Sequence, residues 1–230
     1  MSAVFMDMGV PSIPGNPSSH VRGAIFDLDG TLLDSMHVWE DIDRRFLGKR
    51  GIACPDDYAE ALKTMEFRGA AIYTVQRFCL DEDPEDIMRE WSEMSRRIYA
   101  EEISLKPGAG EYLEVLSSYG VRMGVATSAV PELFVPALRR NGIYGFFSAF
   151  AMTSEVPRGK NFPDVYLLAA ERLGLNPGEC AVYEDTLAGI SGAAAGGFVT
   201  VGVYDRSSSG DWAEIKGKAQ FSIEGFDSIR

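Results

Sequence analysis

Beyond residue 106, short apolar runs alternate with stretches in which apolar residues recur at helical spacing. The apolar runs predict strands at 121–127, 146–152, 180–184 and 198–203. The stretches between them predict helices at 109–119, 131–141, 163–173 and 186–196. An apolar run near the start, at 23–27, predicts one further strand. Such alternation is typical of a parallel sheet with helices on both faces, so we expect a Rossmann-like α/β core.

The segment between the first two predicted strands has a different pattern, with apolar residues at helical spacing and no run typical of a strand. We therefore predict an all-helical cap at 37–105, inserted into a core formed by 21–36 and 106–230. Packing is the better explanation for the aromatic and methionine residues of this insert. The residues at helical spacing are Trp39, Ile42, Phe46, Leu47, Ile72, Val75, Phe78, Ile87, Met88, Trp91, Met94, Ile98 and Tyr99.

Residues 1–20 have the composition of a tail. A short apolar stretch is followed by Pro11, Pro14 and Pro17 together with glycine, asparagine and serine. These residue types favour extended or disordered backbone. We expect residues 1–20 to be flexible and to lie outside the fold.

The charge balance argues against nucleic acid and membranes as partners. The chain carries 34 acidic and 22 basic residues, for a formal net charge of -12. This charge repels both the phosphate backbone of nucleic acids and anionic lipid surfaces. A small anionic substrate remains compatible with it, because local cations and a divalent metal can reverse the field inside one cleft.

Cysteine usage and hydropathy indicate a cytoplasmic protein. Cys54, Cys79 and Cys180 are odd in number, widely spaced and form no CxxC pair, which disfavours a disulfide framework or a zinc site. No apolar run approaches the roughly 20 residues that a membrane-spanning helix needs. The first basic residue, Arg22, comes too late for a signal peptide. We expect a monomer or a weak dimer.

Residues suited to chemistry collect where predicted strands end or in the loops that follow. In open α/β sheets, ligands bind at the carboxyl ends of the strands. Four separate stretches are therefore expected to converge on one crevice. The residues are Asp27, Asp29, Thr127, Ser128, Lys160, Glu184 and Asp185.

Each stretch also has an ordinary structural explanation. The sequence Asp-Leu-Asp-Gly-Thr at 27–31 could be an acidic turn, and Thr127 or Ser128 could simply cap the next helix. Lys160 alone would be a solvated surface charge. Their shared position favours chemistry, because a phosphate site among carboxylates needs a fixed cation to offset repulsion and to stabilise the transition state.

The acids themselves indicate a metal. Asp27, Asp29, Glu184 and Asp185 are expected at one edge of the sheet, where their mutual repulsion raises pKa values unless a cation neutralises them. Hard oxygen ligands, without clustered histidine or cysteine, favour Mg²⁺ over zinc.

These stretches resemble the four signature motifs of the haloacid dehalogenase superfamily, in order and in spacing. The helical insert resembles the cap of the branch that contains β-phosphoglucomutases and sugar-phosphate phosphatases. The resemblance covers the core at about 22–36 and 106–205. Its motifs are FDLDGTL at 26–32, Thr127 or Ser128 in ATSA, Lys160 in GKNFPD, and YEDTLAGI at 183–190.

The resemblance implies a role for each matching residue. Asp27 would attack phosphorus and form an aspartyl-phosphate, while Asp29 would act first as general acid and then as general base. Thr127, with Ser128 beside it, and Lys160 would bind the phosphate. The cap would close over the crevice and recognise a small phosphorylated metabolite.

The same resemblance implies the ligands of Mg²⁺. Asp27 and Asp185 would bind the ion through their side chains, and Asp29 through its backbone carbonyl. Glu184 would either join them or tune the site without binding the metal.

Two features depart from the commonest family pattern. Asn161-Phe162-Pro163 follows Lys160, in place of the frequent Pro-x-Pro. Trp39 and Glu40 stand where the mutases tend to place an assisting histidine, and His37 would lie on another helical face.

The second departure favours a phosphatase over a phosphomutase, which remains the alternative. A silent phosphate-binding relative is less favoured because the set of motif residues is complete, and Asp29 argues against a dehalogenase. Arg68, beside Gly69 near an expected break between cap helices, is a candidate substrate ligand, although a surface arginine is the ordinary explanation.

Overall fold

The computed structural model describes residues 21–62 and 65–228 and divides them into two compact units. The first unit consists of the described parts of Met1–Ser35 and Ile103–Arg230, and the second lies within Met36–Glu102. The predicted tail at 1–20 lies outside the described residues.

The first unit is built around a six-stranded sheet in the order β3-β2-β1-β4-β5-β6. Every pair of neighbouring strands is parallel. Ile25 in β1 lies opposite Gly124 in β2 and Val182 in β4. This Rossmann-like α/β sheet confirms the predicted fold class. The strands are β1 Gly23–Phe26, β2 Arg122–Thr127, β3 Phe147–Met152, β4 Cys180–Glu184, β5 Val199–Val203 and β6 Phe221–Ile223.

Helices of both units follow the chain in the order α1 to α9. They are α1 Val38–Lys49, α2 Tyr58–Leu62, α3 Phe67–Phe78, α4 Pro84–Glu101, α5 Ala109–Ser118, α6 Pro131–Arg140, α7 Asp164–Leu173, α8 Leu187–Ala195 and α9 Trp212–Lys218. The strands and helices predicted for the core agree with the structure to within one residue at each end. The prediction omitted α9 and also β6, the edge strand that completes the sheet.

The core of the first unit forms where α7 packs against the sheet. Tyr166 of α7 is fully buried, as are Ile25 of β1 and Val182 of β4 in the same cluster. Burial on both faces explains why these strands are almost continuously apolar. It also fixes the register of β1 and β4, whose carboxyl ends carry the candidate site.

The second unit is helical in its described part, from α1 to α4. Phe46 of α1 and Trp91 of α4 are buried and meet edge to face, with ring centroids 5.5 Å apart. The Asp83 side chain caps α4 by accepting the Glu85 N–H at 2.8 Å. Trp39 is 50% exposed, and its ring meets that of Phe67 edge to face with centroids 6.0 Å apart.

A buried carboxylate makes the second unit sensitive to pH. Burial, followed by the nearby charge of Glu40, raises the pKa of Asp43 on α1 to about 6. The folded state therefore holds the proton more tightly than the unfolded chain. The resulting stabilisation is complete below the ordinary pKa and is lost as the pH rises through 6.

Asp43→Asn should therefore raise the free energy of unfolding at pH 7.5 by roughly 1–2 kcal/mol, with little gain at pH 4, because the amide never ionises. Urea unfolding of both proteins at the two pH values measures the difference. An equal change in the free energy of unfolding at pH 7.5 and pH 4 would contradict a raised pKa of Asp43 in the folded state.

Among residues 21–62 and 65–228, no helix has both the length and the apolar character needed to cross a membrane.

Candidate active site

The turn after β1 places two carboxylates at the edge of the sheet. The Asp27 N–H donates to the Tyr183 carbonyl at 3.0 Å, which continues the pairing with β4 by one step. Gly30 has φ of +84°, a left-handed conformation that favours glycine. The Leu28 carbonyl accepts the N–H groups of the three residues 31–33. This compact turn holds the segment from Asp27 to Asp29 rigidly against the sheet.

Three carboxylates from two strand ends meet in the interior of the first unit. Asp27 follows β1, whereas Glu184 ends β4 and Asp185 follows it. One oxygen atom from each lies within 4.8 Å of those of the other two. Their exposed fractions are 5%, 0% and 1%. Water therefore gives these charges little screening, and they need a compensating cation.

Lys160 supplies one positive charge to this group. Its Nζ pairs with Asp27 Oδ1 and donates to Glu184 Oε1 at 2.5 Å. Burial alone would lower the pKa of Lys160, but Asp27 and Glu184 outweigh it and raise the pKa above its usual value. Lys160 is therefore a fixed, buried cation and no solvated surface charge.

Burial shifts the pKa of Asp27, the candidate nucleophile, in the opposite direction from its effect on Lys160. It raises the pKa of Asp27 well above the usual value, against the opposing effect of Lys160 and with a further contribution from Glu184. One ammonium cannot balance three carboxylates. A divalent cation would supply the missing charge.

The hydrogen bonds of Glu184 favour a role in positioning Lys160. Glu184 Oε1 also accepts the Tyr166 hydroxyl at 2.9 Å, and Oε2 accepts the Thr186 hydroxyl at 3.0 Å. Both oxygens are therefore engaged. The predicted role of Glu184 as a metal ligand stays a prediction.

Asp185 is held from two sides. Thr31 Oγ1 donates to Asp185 Oδ1 at 3.0 Å, and Ser208 Oγ donates to Oδ2 at 3.3 Å. Burial, followed by repulsion from Glu184, raises the pKa of Asp185 to about 7. A carboxylate that is costly to ionise alone is well suited to a cation.

Asp29 is only half-buried and has a separate partner. Its Oδ1 accepts the Ser35 hydroxyl at 2.6 Å. The side chain of Asp29 does not belong to the buried group of three acids. This separation gives the two aspartates of the β1 turn different environments.

The remaining predicted ligands have mixed placements. Thr127 is fully buried at the end of β2, and its hydroxyl accepts the Ala129 N–H at 3.0 Å. Ser128 is exposed. Arg68 lies in the first turn of α3 in the second unit, with its side chain 69% exposed and its Nε 3.0 Å from Glu85 Oε1. Their assignment as phosphate or substrate ligands stays a prediction.

Two glycines let α8 approach the site closely. A Cβ at Gly189 would lie 2.2 Å from the Glu184 carboxyl carbon. A Cβ at Gly192 would lie 2.1 Å from the Lys160 carbonyl and 2.7 Å from that of Phe162. The glycine side of α8 thus sets the position of both partners of the buried ion pair.

The donor set fits a hard divalent cation. Asp27, Glu184 and Asp185 provide buried carboxylate oxygens, and the described residues around them add no cysteine or histidine to the group. Mg²⁺ prefers oxygen ligands of this kind. The three carboxylates carry more negative charge than the single ammonium of Lys160 can balance, and such an ion would neutralise the remainder.

Sequence reasoning missed several side chains that shape the site. Tyr166, Ser35 and Ser208 contact Glu184, Asp29 and Asp185 respectively. The contacts of Tyr166 and Ser208 join segments 18 and 23 residues apart, which no local motif links. Among the hydroxyl groups at the site, Thr31 was within reach of sequence analysis, because it lies inside the FDLDGTL motif.

Comparison with known proteins finds relatives along most of the chain. The sequence profile of the haloacid dehalogenase-like hydrolase family matches residues 21–197. Hexitol phosphatase A of Escherichia coli (strain K12) is 34% identical over 180 residues, and the match covers 76% of this chain and 80% of that relative. β-Phosphoglucomutase of Bacillus subtilis (strain 168) is 29% identical over 202 residues, with coverage of 80% and 83%.

A solved structure has the same fold. A candidate β-phosphoglucomutase from Thermotoga maritima superposes with a TM-score of 0.82 at 24% identity, over 91% of this chain and 97% of that chain.

Proposed function

The chain belongs to the haloacid dehalogenase-like hydrolase family, and we propose that it is a magnesium-dependent phosphatase that forms an aspartyl-phosphate on Asp27. Its relatives named as phosphatases support a phosphoric monoester hydrolase. The observation that carries the detailed proposal is the buried group of Asp27, Glu184, Asp185 and Lys160. We further propose a small sugar phosphate as substrate, because related enzymes act on phosphorylated sugars and sugar alcohols.

In the first step, a carboxylate oxygen of Asp27 attacks phosphorus and the bond from phosphorus to the leaving alcohol breaks. Asp29 gives its proton to the departing oxygen. Lys160, now shared between Asp27 and the substrate, stabilises charge on the phosphoryl oxygens. The separate environments of Asp27 and Asp29 suit these two roles.

In the second step, water attacks phosphorus and the bond to Asp27 breaks. Asp29, left ionised by the first step, accepts the proton of that water. Inorganic phosphate leaves, and both aspartates return to their starting states. One carboxyl group thus serves as acid and then as base.

The residues that would hold Mg²⁺ are Asp27 and Asp185 through their side chains and Asp29 through its backbone carbonyl. Glu184, the third member of the buried acidic group, is a further candidate ligand. When bound, the ion would neutralise excess carboxylate charge and polarise the phosphoryl oxygens. Thr127 would assist Lys160 in holding the phosphate. Arg68 is kept as a candidate contact to the rest of the substrate.

A phosphomutase is the second candidate, and the match to β-phosphoglucomutase favours it. A mutase would use the same Asp27 and Asp29 but would return the phosphoryl group to a substrate hydroxyl instead of water. It would require a bisphosphate activator. We place the phosphatase first because Trp39 and Glu40 stand where the mutases tend to have a histidine.

Metal removal gives the first test. With purified protein and a panel of sugar and sugar-alcohol phosphates, we expect phosphate release in Mg²⁺ and a loss of at least about a hundredfold in EDTA, because the buried carboxylates then repel substrate and one another. Excess Mg²⁺ should restore the rate.

The two candidate functions predict different outcomes. Phosphate release from one or more esters supports the phosphatase. Isomerisation of a sugar phosphate that depends on a bisphosphate, with little release, would favour the mutase. We also propose that the protein is cytoplasmic and that it is a monomer or a weak dimer. Sedimentation of the purified protein would test the oligomeric state.

A further inference from the structure

A second buried ion pair lies beside the candidate site. Lys106 Nζ donates to Asp205 Oδ2 at 2.5 Å and to the Tyr204 carbonyl at 3.1 Å. Only 12% and 7% of the Lys106 and Asp205 side chains are exposed. Neither residue has a role in the reaction proposed above. The pair anchors the segment that leaves β5 at the carboxyl edge of the sheet.

Asp205 also organises the turn that follows it. Its Oδ1 accepts both the N–H and the hydroxyl of Ser207, at 2.8 and 2.6 Å. The Ser208 N–H donates to the Asp205 carbonyl at 3.2 Å, which closes a 3₁₀ turn over Arg206–Ser208. One oxygen of Asp205 is thus used for Lys106 and the other for the turn.

The turn ends on a hydroxyl that reaches the candidate metal ligand. Ser208 Oγ donates to Asp185 Oδ2 at 3.3 Å, while Thr31 Oγ1 donates to Oδ1 at 3.0 Å. Two hydroxyls on opposite oxygens restrict rotation of the carboxylate. Each oxygen keeps further lone pairs for a cation. Hydrogen bonds of this kind orient carboxylate ligands at metal sites.

The ion pair also keeps the turn electrostatically compatible with the site. An unpaired Asp205 would add one more negative charge near Asp185. Lys106 Nζ, 2.5 Å from Asp205 Oδ2, opposes that charge. The turn therefore places a neutral hydroxyl donor on Asp185 while the charge of Asp205 is paired with Lys106.

We propose that Ser208 is a positioning residue that orients Asp185 for metal binding and is itself held by the Lys106–Asp205 pair. The inference rests on the proposed function, in which Asp185 binds the metal. It adds a residue from the loop after β5 to the machinery of the site.

Ser208→Ala provides the test. We expect Mn²⁺ affinity, measured by electron paramagnetic resonance of the free ion, to fall about tenfold. The Mg²⁺ concentration for half-maximal phosphate release should rise by the same factor, with kcat at saturating Mg²⁺ changed less than about twofold. Ser208→Thr keeps the hydroxyl and should restore most of the affinity.

Ser209→Ala is the matched control. It makes the same chemical change one residue further along the chain, at a serine that is exposed. It should bind Mn²⁺ as the wild type does. Equal Mn²⁺ affinity in wild type, Ser208→Ala and Ser209→Ala would overturn the proposal. Lys106→Met tests the anchor: a folded variant with wild-type Mn²⁺ affinity would overturn the part assigned to the ion pair.

These measurements separate this inference from the proposed function. A wild type that binds Mn²⁺ but releases phosphate from no ester contradicts the phosphatase, while the Mn²⁺ comparison still decides the role of Ser208. Normal phosphatase activity with unchanged Mn²⁺ affinity in Ser208→Ala contradicts the inference alone. A wild type that binds neither Mn²⁺ nor Mg²⁺ overturns both.

Discussion

Asp27→Asn should abolish phosphate release, with a loss of at least about a thousandfold in kcat. The amide is nearly the same size as the carboxylate but is a far weaker nucleophile. Folding should survive, since the change removes the charge of one of three clustered buried carboxylates, of which two pair with the single Lys160 ammonium. The thermal midpoint should stay level or rise. Steady-state kinetics and thermal unfolding on the same preparation measure both effects.

Asp34→Asn is the matched control, because Asp34 is an exposed aspartate seven positions further along the same segment. It should retain activity close to that of the wild type. A folded Asp27→Asn protein that keeps more than about a tenth of wild-type kcat would contradict a nucleophilic role for Asp27.

Gly192→Ala should damage both stability and activity. The added Cβ would lie 2.1 Å from the Lys160 carbonyl and 2.7 Å from the Phe162 carbonyl, and backbone atoms cannot move aside as a side-chain end can. We expect a loss of roughly 1–3 kcal/mol in the free energy of unfolding. Displacing Lys160 from Asp27 and Glu184 should lower kcat/KM by about 10- to 100-fold.

Gly217→Ala makes the same change in another helix, α9, where no atom lies within 4 Å of the added Cβ. There the change should raise the free energy of unfolding by up to about 1 kcal/mol, since alanine favours helix more than glycine does. Activity should not change. Equal effects of the two substitutions, measured by urea unfolding and kinetics, would contradict the close approach of α8 to Lys160.

The parts of the fold that sequence could predict are those with strong local patterns. β1 and β4 are apolar on both faces because helices cover both sides of the sheet, so they appear as continuous runs. β6 is only three residues long, Phe221–Ile223, and has no comparable signal. In the second unit, helical spacing predicted the helices but did not reveal that Trp39 is half exposed.

The candidate site shows the same division. Asp27, Lys160 and Asp185 each end or follow a strand, and the topology of a parallel sheet brings such residues together. The contacts of Ser208 and Ser35 depend on the path of two loops, which sequence spacing does not determine. The close approach of α8 to Lys160 could not be anticipated either, because a glycine in a helix does not usually have the backbone of another segment packed against it.

The most direct test of the aspartyl-phosphate is hydride trapping in Asp29→Asn with p-nitrophenyl phosphate, read by peptide mass spectrometry. The nitrophenolate leaves without a proton, so the intermediate should still form, and without its general base it should persist. The account predicts that borohydride reduces residue 27 to homoserine in this variant and leaves it unchanged in Asp27→Asn. A variant that turns over the ester with no reduced residue, or with the reduction at another position, would contradict it.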